Sequence, residues 1–202
     1  QLFQSLHRNA SRAQEPTEYF IMSSKTDQSL LQVILVDEND TPLGVMEKME
    51  AHEKGLLHRA FSVFIFNSKA EMLLQQRAVD KYHSPDLWTN ACCSHPQPGE
   101  DTADAAYRRL EEEMGFQTPI SKAFSFIYKT SFDNGLTEHE YDHVFIGNYD
   151  GPILPNSLEV QDFRFISMND LRSSLLNDPS QYTSWFKIAF PRLEEYLASA
   201  TI

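Results

Sequence analysis

The sequence predicts an α+β domain in which helices cover a sheet of mixed or mostly antiparallel strands. Three observations lead to this prediction: short β-rich runs separated by turn signals, one helix with a suitable capping residue at each end, and an apolar helical tail. The chain has 202 residues and 41% hydrophobic content, which is enough for one domain with its own core.

Four short runs in the first half of the chain have the composition of strands. Residues 30–36 are β-rich and end in the turn-like stretch 37–40 (DEND). Residues 57–66 are dense in Phe, Val and Ile, and a turn then leads into residues 72–77, so these two runs predict a hairpin. Residues 88–94 form another short extended segment.

The clearest helix covers residues 101–114. Asp101 can cap its start, and Gly115 stands where a left-handed terminating residue belongs. An apolar stripe at helical spacing consists of Ala103, Ala106, Tyr107, Leu110 and Met114. Arg109, Glu112 and Glu113 fall on another face, three and four residues apart.

The second half of the chain begins with a strong hairpin signal. Residues 123–132 alternate between apolar and polar, the turn 133–135 (DNG) follows, and residues 137–149 return as the paired strand. Residues 161–166 predict a last strand, and residues 184–197 predict a helix that packs on the domain.

Residues 26–202 are predicted to form a single domain, preceded by a flexible extension at residues 1–25. That extension is polar and lacks the apolar stretch of a signal peptide. Met22 is a candidate start, which would make residues 1–21 an upstream extension. No apolar run approaches the roughly 20 residues needed to span a bilayer, so no membrane span is expected.

Charge and cysteine content narrow the classes of function. The net charge of −12 argues against nucleic-acid binding, although a few basic residues could still hold a small anion in one pocket. The two cysteines, Cys92 and Cys93, are adjacent, and a disulfide between neighbours in an extended strand is not expected. The chain is therefore predicted to be reduced and cytoplasmic.

Three histidines and two carboxylates are candidate metal ligands. His52, His58 and His95 come from separate segments, and Glu138 and Glu140 project to one face of a predicted strand. Together they would suit Zn²⁺, Mn²⁺ or Mg²⁺, but spacing alone leaves open whether they converge. The remaining histidines illustrate the alternative, an ordinary surface role: His7, His83, His139 and His143.

Cys93 is a candidate acid–base group. In an extended segment Cys93 and His95 lie on one face and Cys92 on the other. A cysteine beside cations or a metal is a good acid–base group, while the alternative is a small buried hydrophobic side chain.

The helical segment resembles a Nudix box, in which a loop and helix present carboxylates to a metal-bound diphosphate. Gly99-Glu100 and the stretch 108–116 (RRLEEEMGF) carry this resemblance. Two positions depart from it, because Ser94 replaces the first glycine and Arg109 replaces a metal-binding glutamate. The alternative is a solvated charged helix face. Four basic residues could surround a diphosphate, although each alone would suit an ordinary surface charge: Lys48, Arg77, Lys81 and Arg109.

Several distinctive segments occur in one order: 47–52 (EKMEAH), 57–62 (LHRAFS), 88–96 (WTNACCSHP), the modified Nudix helix, 138–140 (EHE) and 184–185 (SW). By these segments the chain, from about residue 30 to its end, resembles the type I isopentenyl-diphosphate Δ-isomerase family, which has a Nudix-like mixed sheet flanked by helices. Each segment alone is weak, and the ordered set is specific.

The resemblance implies two metal sites and a diphosphate site. The first metal site would hold Mn²⁺, Zn²⁺ or Mg²⁺ on His52, His58, His95, Glu138 and Glu140. Glu113 would help bind a second ion, Mg²⁺, that also touches the substrate diphosphate. Lys48, Arg77, Lys81 and Arg109 match positions implicated in holding the diphosphate.

The resemblance also implies interconversion of isopentenyl and dimethylallyl diphosphate in isoprenoid biosynthesis. Cys93 and Glu140 would flank the allylic carbons, with Tyr128 beside Glu140 and Trp185 over the hydrocarbon. Acid and base on opposite sides permit a 1,3-proton shift without movement of the substrate. We favour Cys93 as the base in the forward direction and Glu140 with Tyr128 as the proton donor.

Two other functions compete with this one. A Nudix hydrolase of a nucleoside diphosphate derivative would need a metal-activated water at phosphorus, and Arg109 stands where a carboxylate is required. A non-catalytic metal-binding module would usually close its coordination shell with closely spaced Cys/His pairs. Here the carboxylates and the separate thiol are expected to be available for catalysis.

Overall fold

The computed structural model describes residues 31–81 and 83–200, so the predicted extension at residues 1–25 lies outside the described residues. In chain order the elements are β1 (Gln32–Val36), β2 (Pro42–Glu47), α1 (Lys48–Lys54), β3 (His58–Phe66), β4 (Glu71–Arg77), β5 (Trp88–Asn90), β6 (Cys92–Ser94), α2 (Thr102–Met114), β7 (Ile120–Ser131), β8 (Thr137–Asn148), β9 (Val160–Ser167), α3 (Met168–Asn177), a 3-10 turn (Pro179–Gln181) and α4 (Ser184–Ala200).

The strands form one mixed sheet organised around β3. Strand β3 runs parallel to β8 along its whole length, and its other pairings, to β1, β4 and β6, are antiparallel. Strand β7 forms an antiparallel hairpin with β8, while β4 pairs with β5 and β9. This arrangement confirms the predicted α+β mixed sheet.

Two hydrophobic layers lie on opposite faces of the sheet. Helix α2 covers one face with Ala105, Ala106, Leu110 and Met114, which pack on Phe61, Val63 and Ile65 of β3. Helix α4 covers the other face with Trp185, Phe186, Phe190 and Leu193, which pack near Phe64 and Val144. Because side chains alternate along a strand, each position of β3 and β8 is assigned to one of these two layers.

The periodic elements are confirmed. Asp101 accepts hydrogen bonds from the backbone N–H groups of Ala103 and Asp104 at the start of α2, and Gly115 ends the helix with φ of 73°. A Cβ on Gly115 would stand 2.1 Å from the carbonyl oxygen of Leu154, so both conformation and space require glycine there. The hairpin at residues 133–135, the strand β9 and the helix α4 lie where they were predicted.

Three elements and two details were not predicted. Strand β2 contains Pro42 and Gly44, which lower strand propensity, and α1 and α3 are short helices of 7 and 10 residues. The extended segment 88–94 is split at Ala91 into β5 and β6. The predicted β3–β4 hairpin has a single paired position, Phe66 with Met72, because β3 then follows β8 and β4 follows β9. None of the helices in the described part of the chain combines the length and the apolarity that crossing a bilayer requires.

Candidate metal centre

Five potential metal ligands converge at one end of the sheet, on the face that α4 covers. One ligand atom from each of His52, His58, His95, Glu138 and Glu140 lies within 4.8 Å of all the others. Parallel pairing of β3 with β8 sets His58 directly beside Glu140, and strand alternation turns Glu138 to the same face. Helix α1 supplies His52 and packs against β8, while His95 follows β6.

The backbone fixes which nitrogen each histidine presents to this cluster. His52 Nδ1 donates to the Lys48 carbonyl oxygen at 2.6 Å, and His58 Nδ1 donates to the Leu56 carbonyl oxygen at 2.8 Å. A carbonyl oxygen only accepts, so the proton must be on Nδ1 in both rings. Each ring therefore presents Nε2 to the cluster, and this is the nitrogen that would ligate a cation there.

The donor set fits a divalent cation. His58 Nε2 is buried and has no hydrogen-bond partner among the described residues, and it faces Glu140 Oε1 at 3.7 Å and Glu138 Oε2 at 3.9 Å. A buried polar atom is costly to leave unsatisfied, and a cation between these groups would satisfy it. Three imidazoles and two carboxylates suit Zn²⁺, Mn²⁺ or Mg²⁺.

Each carboxylate turns one oxygen towards the histidines and the other away from them. Glu138 Oε2 lies 2.8 Å from His52 Nε2, and Glu140 Oε1 lies 2.9 Å from His95 Nε2. The outer oxygen of Glu140, Oε2, accepts a hydrogen bond of 2.6 Å from the Tyr128 hydroxyl. The outer oxygen of Glu138, Oε1, lies 3.3 Å from His83 Nε2.

Burial and charge act on the protonation of this cluster in opposite directions. Burial would raise the pKa of Glu140, but the adjacent His58 imidazole and the hydrogen bond from the Tyr128 hydroxyl lower it below its usual value. Burial would lower the pKa of His58, but the adjacent Glu140 carboxylate raises it. Burial holds the pKa of His95 well below its usual value, which leaves this imidazole neutral and able to coordinate.

Cys93 faces the same layer as the metal cluster, and Cys92 faces the layer under α2, as predicted. The Cys93 thiol donates to Asn90 Oδ1 at 2.9 Å, and its Sγ lies 3.5 Å from Ser62 Oγ. The orientation of the Asn90 amide is fixed because its Nδ2 donates to the carbonyl oxygens of Val63 and Cys92. Burial raises the pKa of Cys93 to about 12, so the thiol is protonated at neutral pH.

Trp185 is connected to Cys93 through a series of hydrogen bonds. Its Nε1 donates to Thr89 Oγ1 at 3.0 Å, and the Thr89 hydroxyl in turn donates to Asn90 Oδ1 at 3.0 Å. The Arg77 guanidinium lies 5.1 Å from the centroid of the Trp185 ring. One hydrogen-bonded chain therefore connects the Trp185 indole, through Thr89 and Asn90, to the Cys93 thiol.

The proposed diphosphate residues fall into two groups. Lys48 contributes the carbonyl that holds His52, and Arg77 lies on Trp185, so both adjoin the metal cluster. Lys81 and Arg109 instead pair with Glu159, in the segment before β9. Arg109 also donates to Glu113 at 2.6 Å, and Gln75 donates to Glu113 at 2.9 Å. Glu113 is buried and only 5% exposed, so it does not belong to the solvated charged face that was the alternative for this helix.

The positions of several polar residues in this region were not predicted from the sequence. His83 was grouped with surface histidines, but it is buried beside Glu138 and Trp185, and His143 is buried as well. His7 lies outside the described residues. Asn90 lies in the segment 88–96, but the sequence predicted no role for it. Asp142 lies two residues after Glu140, on the same strand face. Period-two spacing from Glu138 and Glu140 could have indicated Asp142, whereas His83 lies in a loop without periodicity.

Asp142 gives a test of the electrostatics. Burial raises its pKa to about 8, and within residues 31–81 and 83–200 its Oδ1 has no hydrogen-bond partner. An unfolded Asp releases its proton near pH 4, so between about pH 4 and 8 the unfolded state binds fewer protons and the free energy of unfolding falls as pH rises. Asp142→Asn removes this effect, and it should stabilise the metal-free protein by about 2–4 kcal/mol at pH 7 and by little at pH 4.

Urea unfolding of the chelator-treated protein at pH 4, 5.5 and 7 measures this difference. The matched control is Asp133→Asn in the exposed turn between β7 and β8. A gap between Asp142→Asn and the parent protein that stays constant with pH would contradict a raised Asp142 pKa.

Both the sequence and the fold are similar to those of known proteins. A family model described as the NUDIX domain matches residues 56–186. The isopentenyl-diphosphate Delta-isomerase of Pectobacterium atrosepticum is 50% identical over 167 residues, covering 83% of this chain and 93% of that protein. The isopentenyl-diphosphate Delta-isomerase 2 of Aromatoleum aromaticum is 49% identical over 162 residues, covering 80% and 86%.

The crystal structure of DR0079 from Deinococcus radiodurans shares the fold, with a TM-score of 0.61 at 18% identity over 73% of this chain and 90% of that chain. The Nudix-like fold and the family resemblance predicted from the sequence are thus confirmed. The chain belongs to the isopentenyl-diphosphate Delta-isomerase family and is built on a NUDIX domain.

Proposed function

We propose that the protein interconverts isopentenyl diphosphate and dimethylallyl diphosphate by metal-dependent proton addition and removal. One observation carries the proposal: the sheet face that gathers three histidines and two glutamates also presents Cys93 and the Tyr128–Glu140 pair. The reaction needs a proton added at one carbon of an unactivated alkene and another removed two bonds away. A thiol and a carboxylate on this face of the sheet, with the alkene between them, can supply the proton donor and the proton acceptor.

The hydrogen bonds indicate which of Cys93 and Glu140 carries the proton before a substrate binds. Asn90 Oδ1 can only accept from Cys93, and the Tyr128 hydroxyl donates to Glu140, so the resting pair is a thiol and a carboxylate. This state supports Cys93 as proton donor and Glu140 as acceptor for the first substrate that binds. The assignment favoured from the sequence, with Cys93 as forward base, would require the proton to pass to Glu140 before isopentenyl diphosphate reacts.

A tertiary carbocation would develop between the two proton transfers, and water must be kept from it. Trp185 is only 5% exposed, and its indole N–H is held by Thr89, which fixes the orientation of the ring. A Trp face stabilises a cation and excludes water from it. We assign this role to Trp185.

The five-ligand cluster would hold Zn²⁺, Mn²⁺ or Mg²⁺, and Glu113 would help to hold a second ion, Mg²⁺, on the diphosphate. When bound at the cluster, a divalent cation stabilises the carboxylate form of Glu140 and fixes its orientation. Lys48, Arg77, Lys81 and Arg109 would pair with diphosphate oxygens. The free thiols of Cys92 and Cys93 support a reducing, cytoplasmic location.

Arg77 gives a test of the diphosphate site. Arg77→Ala should raise KM for isopentenyl diphosphate about tenfold or more with a smaller change in kcat, because a charge contact made in both ground and transition states is lost. Steady-state kinetics measures the two constants separately. Arg192→Ala, on the exposed side of α4, is the matched control, and an unchanged KM in Arg77→Ala would remove Arg77 from the site.

The competing hydrolase function predicts different products. Incubation with Mg²⁺ and a panel of nucleoside diphosphate derivatives, followed by ³¹P NMR of the products, tests it directly. We expect no cleavage of the diphosphate above background, because Arg109 stands where the Nudix box has a metal-binding carboxylate. Formation of a nucleoside monophosphate at enzymatic rates, without an alkene shift in isopentenyl diphosphate, would overturn the isomerase proposal.

A further inference from the structure

We propose that His83 is a positioning residue of the metal centre, which fixes Glu138 by donating a hydrogen bond from Nε2 to its outer carboxylate oxygen. The two atoms lie 3.3 Å apart, and both side chains are buried. This inference rests on the proposed function, since it assigns a role within the same metal site.

The His83 ring is held in place on two sides. It stacks on Phe132 at a centroid distance of 5.2 Å and an interplanar angle of 18°, and it meets Trp185 edge-on at 5.5 Å. Its Nδ1 lies 3.4 Å from the Ser84 hydroxyl, which can donate to it and leave the ring proton on Nε2. The aromatic contacts therefore aim Nε2 at Glu138.

The outer oxygens of the two glutamates each face a side chain from outside the five-ligand cluster. Glu140 turns Oε1 to the histidines while Tyr128 donates to Oε2. Glu138 turns Oε2 to His52 while His83 faces Oε1. A carboxylate whose outer oxygen is held by a donor presents one oxygen to a cation and cannot rotate freely. His83 thus faces the outer oxygen of Glu138, as Tyr128 faces the outer oxygen of Glu140.

His83 also connects the metal centre to the proposed substrate site. Its carbonyl oxygen accepts from Arg77 Nη2 at 3.1 Å, and the Arg77 guanidinium lies over Trp185. The same residue thus contacts a metal ligand through its ring and a proposed diphosphate residue through its backbone. Substitution of the side chain removes the first contact and leaves the second available.

Three substitutions separate hydrogen bonding from packing. His83→Gln places an N–H donor near the position of Nε2, and His83→Met has a similar length and volume without a donor. His83→Phe keeps an aromatic ring between Phe132 and Trp185, also without a donor. If only packing matters, His83→Gln and His83→Met should have equal Mn²⁺ affinity, and the affinity of His83→Phe should equal that of the parent protein.

The measurement is Mn²⁺ affinity of chelator-treated full-length protein, by titration calorimetry with Mn²⁺ alone. Loss of a hydrogen bond to a metal ligand costs about 10–100-fold in affinity, so we expect that loss in His83→Met and His83→Phe and a much smaller one in His83→Gln. His139→Phe is the matched control, because His139 lies between Glu138 and Glu140 but points to the other face, where its Nδ1 donates to the Gly55 carbonyl.

Near-UV circular dichroism checks the fold of each variant, and the near-isosteric Gln/Met pair keeps the test decisive if the larger Phe side chain disturbs the site. Mn²⁺ affinity that is equal in the parent, Gln and Met proteins overturns the role of His83 while leaving the isomerase function intact. A parent protein that shifts the alkene of isopentenyl diphosphate but binds no Mn²⁺, Zn²⁺ or Mg²⁺ overturns both the metal centre and this inference.

Discussion

Replacement of Cys93 by alanine is expected to lower kcat for isopentenyl diphosphate by about 10²–10⁴-fold, the usual contribution of a positioned acid–base group. The thiol is held between Asn90 and Ser62 on the face of the metal cluster. The backbone of β6 pairs with β3 irrespective of this side chain, so the fold and metal content should be largely retained. Stopped assays for the product and metal analysis of the purified variant measure these two properties.

Cys92→Ala is the matched control for this prediction. Cys92 is fully buried in the layer under α2, and its replacement should cost mainly packing, about 1 kcal/mol of unfolding free energy. A substrate analogue carrying an epoxide should alkylate Cys93 and leave Cys92 unmodified, as peptide mass spectrometry can establish. An inactive Cys92→Ala with an active Cys93→Ala would reverse the assignment of the two strand faces.

Glu140→Gln is expected to lower both metal affinity and turnover. The side chain provides one inner oxygen of the five-ligand cluster and accepts from Tyr128 with the other oxygen. The amide is nearly isosteric, but it has no charge and cannot accept a proton, so the proton-transfer loss alone should be about 10²–10⁴-fold in kcat. Metal titration of the apo-protein should show weaker binding as well.

A control for Glu140→Gln is the same change at Glu195, which is exposed on α4. Saturating Mn²⁺ separates the two expected losses, because it should restore metal occupancy without restoring turnover. Full activity in Glu140→Gln would contradict the dual role of this residue, and full recovery at high Mn²⁺ would reduce its role to metal binding.

Elements with a strong local signal could be predicted from the sequence. Helix α2 has a period, a capping Asp101 and a terminating Gly115, and the hairpin at residues 133–135 carries its own turn residues. Helix α1 has 7 residues and is stabilised locally by Glu47, which caps its first N–H groups, and by Gly55 at its end. A segment so short shows too little periodicity to distinguish it from a loop.

The candidate site depended on information that local patterns do not contain. Alternation correctly indicated that Glu138 and Glu140 share a face, and that Cys92 and Cys93 do not. Their convergence with the histidines arises from the parallel pairing of β3 and β8, between residues more than 80 positions apart. The resemblance supplied that long-range information, whereas His83 required the structure itself.

The proposed reaction shifts a double bond without cleaving the diphosphate. The most direct measurement is ¹H and ³¹P NMR of isopentenyl diphosphate incubated in D₂O with the protein and Mg²⁺. We expect dimethylallyl diphosphate that carries deuterium from solvent, an intact diphosphate signal, no conversion after chelation, and strongly slowed conversion in Cys93→Ala. Release of inorganic phosphate, or unchanged isopentenyl diphosphate with metal-loaded folded protein, would contradict the account.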